Sequence, residues 1–127
     1  MISASRKPAS ATCRERFAPH SWSFFRYRSE RGTRFLERLG TIVDKSGVPV
    51  SMSGIPPMPF ITFDRVDGHY KERRVEFYTQ CIRRGLFVQP YHHWYIAYRH
   101  TEADLNRALE VVEESLAWVA QSHPWEK

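Results

Sequence analysis

The apolar residues after Thr101 constrain the fold more than any other feature of this sequence. Leucine, valine and alanine recur there at spacings of three and four, which makes one side of a helix apolar along its length. Thr101 and Asp104 have the spacing of a capping box at the start of that helix. Such a helix is stable in water only when its apolar side is covered, so the chain must form a core around it. The residues concerned are Leu105, Ala108, Leu109, Val112, Leu116 and Val119.

Two further helices and four short strands are predicted before this helix. Helical spacing extends from Thr33 to about Lys45 and from about His69 to Arg84, where Val75, Tyr78 and Ile82 form the predicted apolar stripe. Strand patterns cover residues 48–53, 58–63, 86–88 and 94–98. The resulting order, α-β-β-α-β-β-α, predicts an α+β fold of two layers, with helices on one face of a small, largely antiparallel sheet.

Composition and charge exclude several classes of protein. With 42% hydrophobic and 14% aromatic residues in 127, the chain has the composition of one globular domain and not of a disordered chain. No apolar stretch approaches the roughly 20 residues of a membrane-spanning helix, and none follows Arg6 and Lys7 as a secretion signal would require. We therefore expect no membrane contact and a cytoplasmic location, with Cys13 and Cys81 as reduced thiols, Cys81 packed within a helix.

The basic charge is concentrated at the start of the chain. Residues 1–40 contain nine Lys or Arg and three Asp or Glu, whereas the remainder is nearly balanced. Residues 23–31 are basic and aromatic and could form a helix or a loop, while residues 1–22 have no regular pattern and are expected to be poorly ordered. This segment could bind an acidic partner, but the rest of the chain offers no basic face to extend it, so nucleic-acid binding is not expected.

Residue chemistry alone indicates no self-contained active site. His92, His93 and His100 lie near one predicted strand, but adjacent histidines on a strand point to opposite faces, so surface or hydrogen-bonded histidines are favoured over a metal site. No phosphate-binding glycine motif and no serine-nucleophile motif occurs. No catalytic residue and no metal ligand is predicted on this basis.

Two stretches resemble a known family. Residues 47–54, continuing through Met58-Pro59-Phe60 to Phe63, form the first stretch. The second comprises Arg84-Gly85-Leu86-Phe87 to Pro90, then His92 to Ile96, and then residues 100–109, which open with His-Thr-Glu-Ala-Asp-Leu. Together they resemble the C-terminal small domain of class III pyridoxal-phosphate-dependent aminotransferases, in the group of glutamate-1-semialdehyde 2,1-aminomutase and its aminotransferase relatives. The resemblance covers about residues 33–121, which leads us to divide the chain into residues 1–30, a small domain at 31–122, and a tail at 123–127.

The resemblance implies amino-group transfer with pyridoxal phosphate in a full-length enzyme. The family's cofactor lysine, the aspartate at the pyridine nitrogen and the phosphate-binding turn belong to a large domain that this sequence lacks. None of the lysines, which are Lys7, Lys45, Lys71 and Lys127, stands in the cofactor-lysine setting. We therefore expect that this chain alone binds no cofactor. The expected partners are the large domain, a homodimer partner, or further copies of the chain through self-association. The chain could be a gene fragment, a frameshift product or a subunit of a split enzyme.

The resemblance also implies candidate substrate-binding residues, and the sequence departs from aminomutases at one place. The segment after Pro90 is shorter than in aminomutases and lacks their glutamate, which favours the aminotransferase relatives. His92 and His93 could face substrate from the rim of a completed site. Arg99 stands where small residues are usual and could bind a substrate carboxylate, although a surface arginine is the more common outcome. The alternative function is a free-standing binding module that contacts an acidic partner through the basic N-terminal segment.

Overall fold

The computed structural model describes residues 19–125, with the side chains of residues 30–125. Its elements are α1 (Pro19–Lys45), β1 (Val50–Ile55), β2 (Met58–Phe63), α2 (Tyr70–Arg83) and α3 (Glu102–Ser122). The strands form one two-stranded antiparallel sheet. The α+β class is therefore confirmed, with fewer strands than predicted. The predictions for residues 1–18 lie outside the described residues.

Helix α1 begins at Pro19, well before the predicted start at Thr33. The basic and aromatic residues 23–31 thus belong to a helix and not to a loop. A proline suits the first helical position, because the amide hydrogen that it lacks has no partner within the helix there. Phe35, Leu39 and Val43 are buried at the predicted spacing and carry α1 into the core.

The hairpin of β1 and β2 has one buried and one open face. Strand β2 has its predicted bounds, and β1 runs from Val50 to Ile55, two residues later than predicted. Ile61 and Phe63 are buried, and the ring of Phe63 lies 5.5 Å from that of Phe77 in α2. The helices therefore pack on this inner face, which matches the predicted two layers.

The predicted strands at residues 86–88 and 94–98 are wrong, because neither forms a regular strand. The second runs beside β2 nonetheless: the Trp94 amide donates to the Pro59 carbonyl at 2.9 Å and the Ile96 amide to the Pro57 carbonyl at 3.0 Å. In an antiparallel ladder these pairs would exchange a second bond. Proline has no amide hydrogen, so Pro57 and Pro59 cannot return it and the ladder is half made.

Helix α2 turns a different face to the core than predicted. Val75 and Ile82 are exposed, whereas Phe77 and Cys81 are buried along with Arg73, which is 1% exposed. The Arg73 guanidinium donates to both carboxylate oxygens of Asp67, at 2.7 and 2.6 Å, and its Nε donates to the His123 carbonyl. Because its guanidinium is hydrogen-bonded in this way, Arg73 can be buried in the core. The apolar pattern instead predicts Val75 and Ile82 on that side of the helix.

Helix α3 has the capping box and the buried stripe that the sequence predicts. The Asp104 amide donates to the Thr101 hydroxyl, and the Thr101 amide donates to the Asp104 carboxylate at 2.7 Å. Leu105, Leu109, Val112, Leu116 and Val119 are buried against α1 and α2. Across residues 19–125, no helix combines the length and the apolar character required to cross a membrane.

Candidate functional site

The segment between α2 and α3, residues 85–100, carries the predicted site residues. It leaves α2 through Gly85, whose φ of +86° favours glycine, and the Leu86 amide donates to the Cys81 carbonyl at 2.9 Å. Further along, Trp94 and Ile96 are buried and bonded to β2. The segment is therefore held at both ends and along its length, although it has no regular secondary structure.

The structure brings His92 and His93 together, while Arg99 lies apart from them. Both histidines are exposed and line a cavity of about 380 Å³ between the segment, α1 and α3. The His92 ring lies 5.7 Å from that of Tyr95, and the His93 ring lies 5.0 Å from that of Phe60. Arg99 is exposed and is not among the residues that line this cavity.

The remaining walls of the cavity are mostly apolar, and several come from distant parts of the chain. They include Phe35 of α1, Leu105 and Ala108 of α3, and Phe87, Trp94 and Tyr95 of the segment. Such walls can shield and orient a bound group, but they hold no carboxylate that could pair with His92 or His93 as an acid and a base. Phe35 could not be assigned to this site from spacing, because no local pattern links α1 to residues 86–96.

His100 fixes the end of the segment where α3 begins. Its Nδ1 accepts from the Ala97 amide at 3.0 Å, and its own amide donates to the Ala97 carbonyl at 3.1 Å. The His100 carbonyl accepts from Arg31 of α1, whose guanidinium also pairs with Glu102 at 3.3 Å. The sequence groups His100 with His92 and His93, and His100 lines the same cavity as they do. Its hydrogen bonds also position the segment.

The thiol and the phenol nearest this segment are not activated. Burial raises the pKa of Cys81 to about 11, although the Ser115 hydroxyl and Arg84 act in the opposite direction. Burial likewise raises the pKa of Tyr78 to about 12. Both groups stay protonated near neutral pH, so neither is a ready nucleophile. Cys81 is fully buried, which confirms it as a packing residue. Among residues 30–125, no three His, Cys, Asp or Glu side chains are grouped to hold a metal ion.

The described residues do not fit pyridoxal phosphate by themselves. The cofactor needs an amine to anchor its aldehyde and donors to hold its phosphate. Lys45 is at the end of α1 and Lys71 is in the first turn of α2; both are exposed and neither lines the cavity beside His92. No step through the cofactor can therefore be assigned to the side chains of residues 30–125.

Comparison with known proteins finds relatives that contain a similar stretch of sequence. No family model matches the chain. It is 50% identical over 90 residues to the 3-aminobutyryl-CoA aminotransferase of Cloacimonas acidaminovorans, which is 70% of this chain and 22% of that enzyme. A shorter match is to the glutamate-1-semialdehyde 2,1-aminomutase of Archaeoglobus fulgidus, with 38% identity over 48 residues. Those residues are 36% of this chain and 12% of that enzyme. This chain is related to one part of the class III aminotransferases.

Solved structures show the same fold as part of larger chains. The FumI protein of Sphingopyxis sp. MTA144, in its PLP internal aldimine form, matches with a TM-score of 0.67 and 20% identity over 82% of this chain. The β-phenylalanine aminotransferase of Variovorax paradoxus matches with a TM-score of 0.59 and 18% identity over 76% of it. This chain covers 25% and 24% of those two chains, so it spans about a quarter of their length. Pyridoxal phosphate is bound in the FumI structure.

Proposed function

We propose that this chain serves as the small domain of a class III aminotransferase and takes part in amino-group transfer only when a large pyridoxal-phosphate domain completes it. The observation that carries the proposal is the 50% identity over 90 residues to an enzyme of which those residues form only 22%. Identity at that level over 70% of this chain supports a common fold and a common packing role.

The open cavity supports a positioning role for this chain and no chemistry of its own. His92 and His93 line a mostly apolar cavity with no acid–base pair, so they would orient substrate at the rim of a site whose reacting groups come from the large domain. Arg99, exposed at the end of the segment, would bind a substrate carboxylate only if the completed enzyme brought one to it.

The aminotransferase relatives fit this chain better than true aminomutases. The missing glutamate after Pro90 favours them, and the aminotransferase match is longer and higher in identity than the aminomutase match. We further propose a cytoplasmic location and a homodimeric complete enzyme.

The alternative of a free-standing basic binding module is less favoured. Two basic residues of α1 contact α3: Arg34 pairs with Glu102 at 3.1 Å and Arg38 donates to Asn106. An arginine held in an ion pair, as Arg34 is, offers less of its charge to an acidic partner.

A graft tests the proposed function. The matched 90 residues of the Cloacimonas acidaminovorans enzyme are replaced by the corresponding residues of this chain, and cofactor absorbance and aminotransferase activity are measured. We expect the graft to bind pyridoxal phosphate and to transaminate, and the isolated 127-residue chain to do neither. A folded graft without activity, or one stoichiometric cofactor adduct on a lysine of the isolated chain, would overturn the proposal.

A further inference from the structure

Three cations gather around the ring of Tyr70 at the start of α2, although the chain after residue 40 is nearly balanced in charge overall. The guanidinium carbon of Arg65 lies 5.3 Å from the centre of this ring, and that of Arg74 lies 5.9 Å from it. The ammonium nitrogen of Lys71 lies 6.0 Å from the same point. Arg65 comes before the helix, whereas Lys71 and Arg74 are three positions apart in it and share one side.

Tyr91 joins this group from the segment between α2 and α3. The guanidinium carbon of Arg74 lies 4.0 Å from the centre of the Tyr91 ring, close enough to stack on the ring face. Stacking uses the face of a guanidinium and leaves the N–H groups in its plane available to an acceptor. The five residues Arg65, Tyr70, Lys71, Arg74 and Tyr91 are called here the cation–tyrosine cluster.

Within residues 30–125, no carboxylate forms an ion pair with any of the three cations of this cluster. Asp64 accepts from a serine hydroxyl at 2.8 Å, and Asp67 is bound to the buried Arg73. Glu72 is on a different side of α2, because residues one or two positions apart on a helix do not face each other. The three like charges therefore repel one another, and a multiply charged anion would relieve that repulsion.

The combination of cations and tyrosine rings suits phosphate groups that carry an aromatic base. Guanidinium and ammonium groups are the usual partners of phosphate oxygens, and tyrosine rings stack with nucleobases. Three cations are enough for a diphosphate, whereas a nucleic acid is held by a longer row of phosphate contacts. We propose that the cation–tyrosine cluster binds a nucleoside diphosphate, with the phosphates on Arg65, Lys71 and Arg74. The base stacks on the ring of Tyr91, which is 69% exposed.

This site is distinct from the cavity to which the proposed function assigns substrate. None of the five residues of the cation–tyrosine cluster lines that cavity, although Tyr91 directly precedes His92. All five belong to this chain, so the binding does not require a large domain. The proposal therefore stands or falls independently of amino-group transfer.

An NMR titration of the 127-residue chain with ADP, pyrophosphate and adenosine tests the proposal. We expect ADP to bind with a Kd below about 1 mM and to shift the signals of residues 65–74 and 91. Pyrophosphate should bind more weakly and adenosine most weakly, because only ADP engages both the cations and the ring. No binding of ADP, or shifts elsewhere in the chain, would overturn the proposal. A single-stranded oligonucleotide that binds more tightly than ADP would overturn it in favour of a nucleic acid.

Charge-matched variants separate this site from general attraction to a basic protein. We expect Arg74→Gln to weaken ADP binding at least about fivefold, since a charged donor to phosphate is lost. Arg83→Gln removes the same charge about 13 Å further along α2, beyond the reach of unscreened attraction at physiological salt, and should change the affinity less than about twofold. Equal losses in the two variants would contradict a specific site. Should Arg74→Gln lower the melting temperature, Lys71→Gln takes its place with the same criterion.

Tyr91→Gly tests the stacking of the base without disturbing the backbone. Tyr91 has a φ of +62°, which glycine adopts freely, so the melting temperature should not fall. We expect this variant to bind ADP no more tightly than pyrophosphate, because the ring that holds the base is gone. Unchanged ADP affinity, or equal affinities of the unaltered chain for ADP and pyrophosphate, would overturn the proposal of a nucleotide and leave a site for phosphate alone.

Discussion

Gly54 shows how a single residue holds the hairpin in register. Its φ of +105° is a backbone conformation that residues other than glycine rarely adopt. A Cβ atom at this position would be 2.2 Å from the Met58 carbonyl oxygen. We expect Gly54→Ala to lower the free energy of unfolding by about 1–3 kcal/mol, measured by urea titration. Gly68→Ala is the control, because nothing lies within 4 Å of its Cβ position and the change should cost less than about 0.5 kcal/mol. Equal effects would contradict this explanation.

The pair of Asp67 and Arg73 joins three parts of the domain. Arg73 is almost fully buried, and it connects the turn before α2, through Asp67, to the carbonyl of His123 at the end of α3. Asp67 also accepts from the His69 amide at 2.9 Å. The buried guanidinium therefore depends on this carboxylate being ionised.

Acid should weaken the contact between Asp67 and Arg73 only at low pH. The hydrogen bond from Arg73 lowers the pKa of Asp67 from 3.8 to about 2. Because the folded-state value is depressed, the stabilisation is present above about pH 4 and is lost as pH falls from about 4 to about 2. Melting temperature against pH measures this. We expect Asp67→Asn to lower stability at pH 7 and to flatten the curve between pH 4 and 2. Asp44→Asn, at an exposed position on α1, should leave the curve unchanged.

Helix α3 as an element depends on its first turn. The Thr101 hydroxyl satisfies the Asp104 amide, which otherwise has no partner within the helix. We expect Thr101→Ala to lower the free energy of unfolding by about 1 kcal/mol. Thr41→Ala near the end of α1 is the matched change: the Thr41 hydroxyl donates to the Glu37 carbonyl of its own helix, so this variant should be neutral or slightly more stable. Chemical denaturation of both variants checks the difference.

The segment beside β2 should show alternating protection in hydrogen exchange. The amides of Trp94 and Ile96 are bonded to β2 carbonyls, and the one-sided ladder leaves the Tyr95 amide between them pointing away from β2. We expect slow exchange at residues 94 and 96 and fast exchange at 95, measured by NMR on the whole chain. Uniformly fast exchange through 94–96 would mean that the segment is not attached to the sheet.

Several aromatic side chains among residues 30–125 are exposed. The family resemblance predicts that Phe60, Phe87, Trp94 and Tyr98 belong to a surface that the large domain covers in a complete enzyme. Phe87 is 80% and Tyr98 55% exposed, Phe60 is half-buried, and Trp94 is buried, so the prediction for Trp94 is wrong. We expect the isolated chain to self-associate with rising concentration in sedimentation velocity. A single monomer boundary at all concentrations, with cooperative unfolding at high temperature, would contradict this expectation.

Periodicity was sufficient to predict the helices, β2 and the fold class, because spacing along the chain reports which side chains can share a face. It predicted α3 best, since Thr101 and Asp104 mark the start locally. It failed where a distant partner decides the outcome. The core face of α2 follows from Arg73 meeting Asp67 and His123, and the missing strand follows from Pro57 and Pro59 facing Trp94 and Ile96.

The candidate site follows the same division. His92 and His93 were nameable from the sequence, because the family resemblance is carried by local motifs around them. Phe35 and Arg31 were not, because they reach the segment through packing across about 50 or more intervening residues. Local sequence patterns determine which helices and strands form. Which face of each element packs against the others depends on the tertiary structure, because buried polar groups and backbone amides need hydrogen-bond partners from distant parts of the chain.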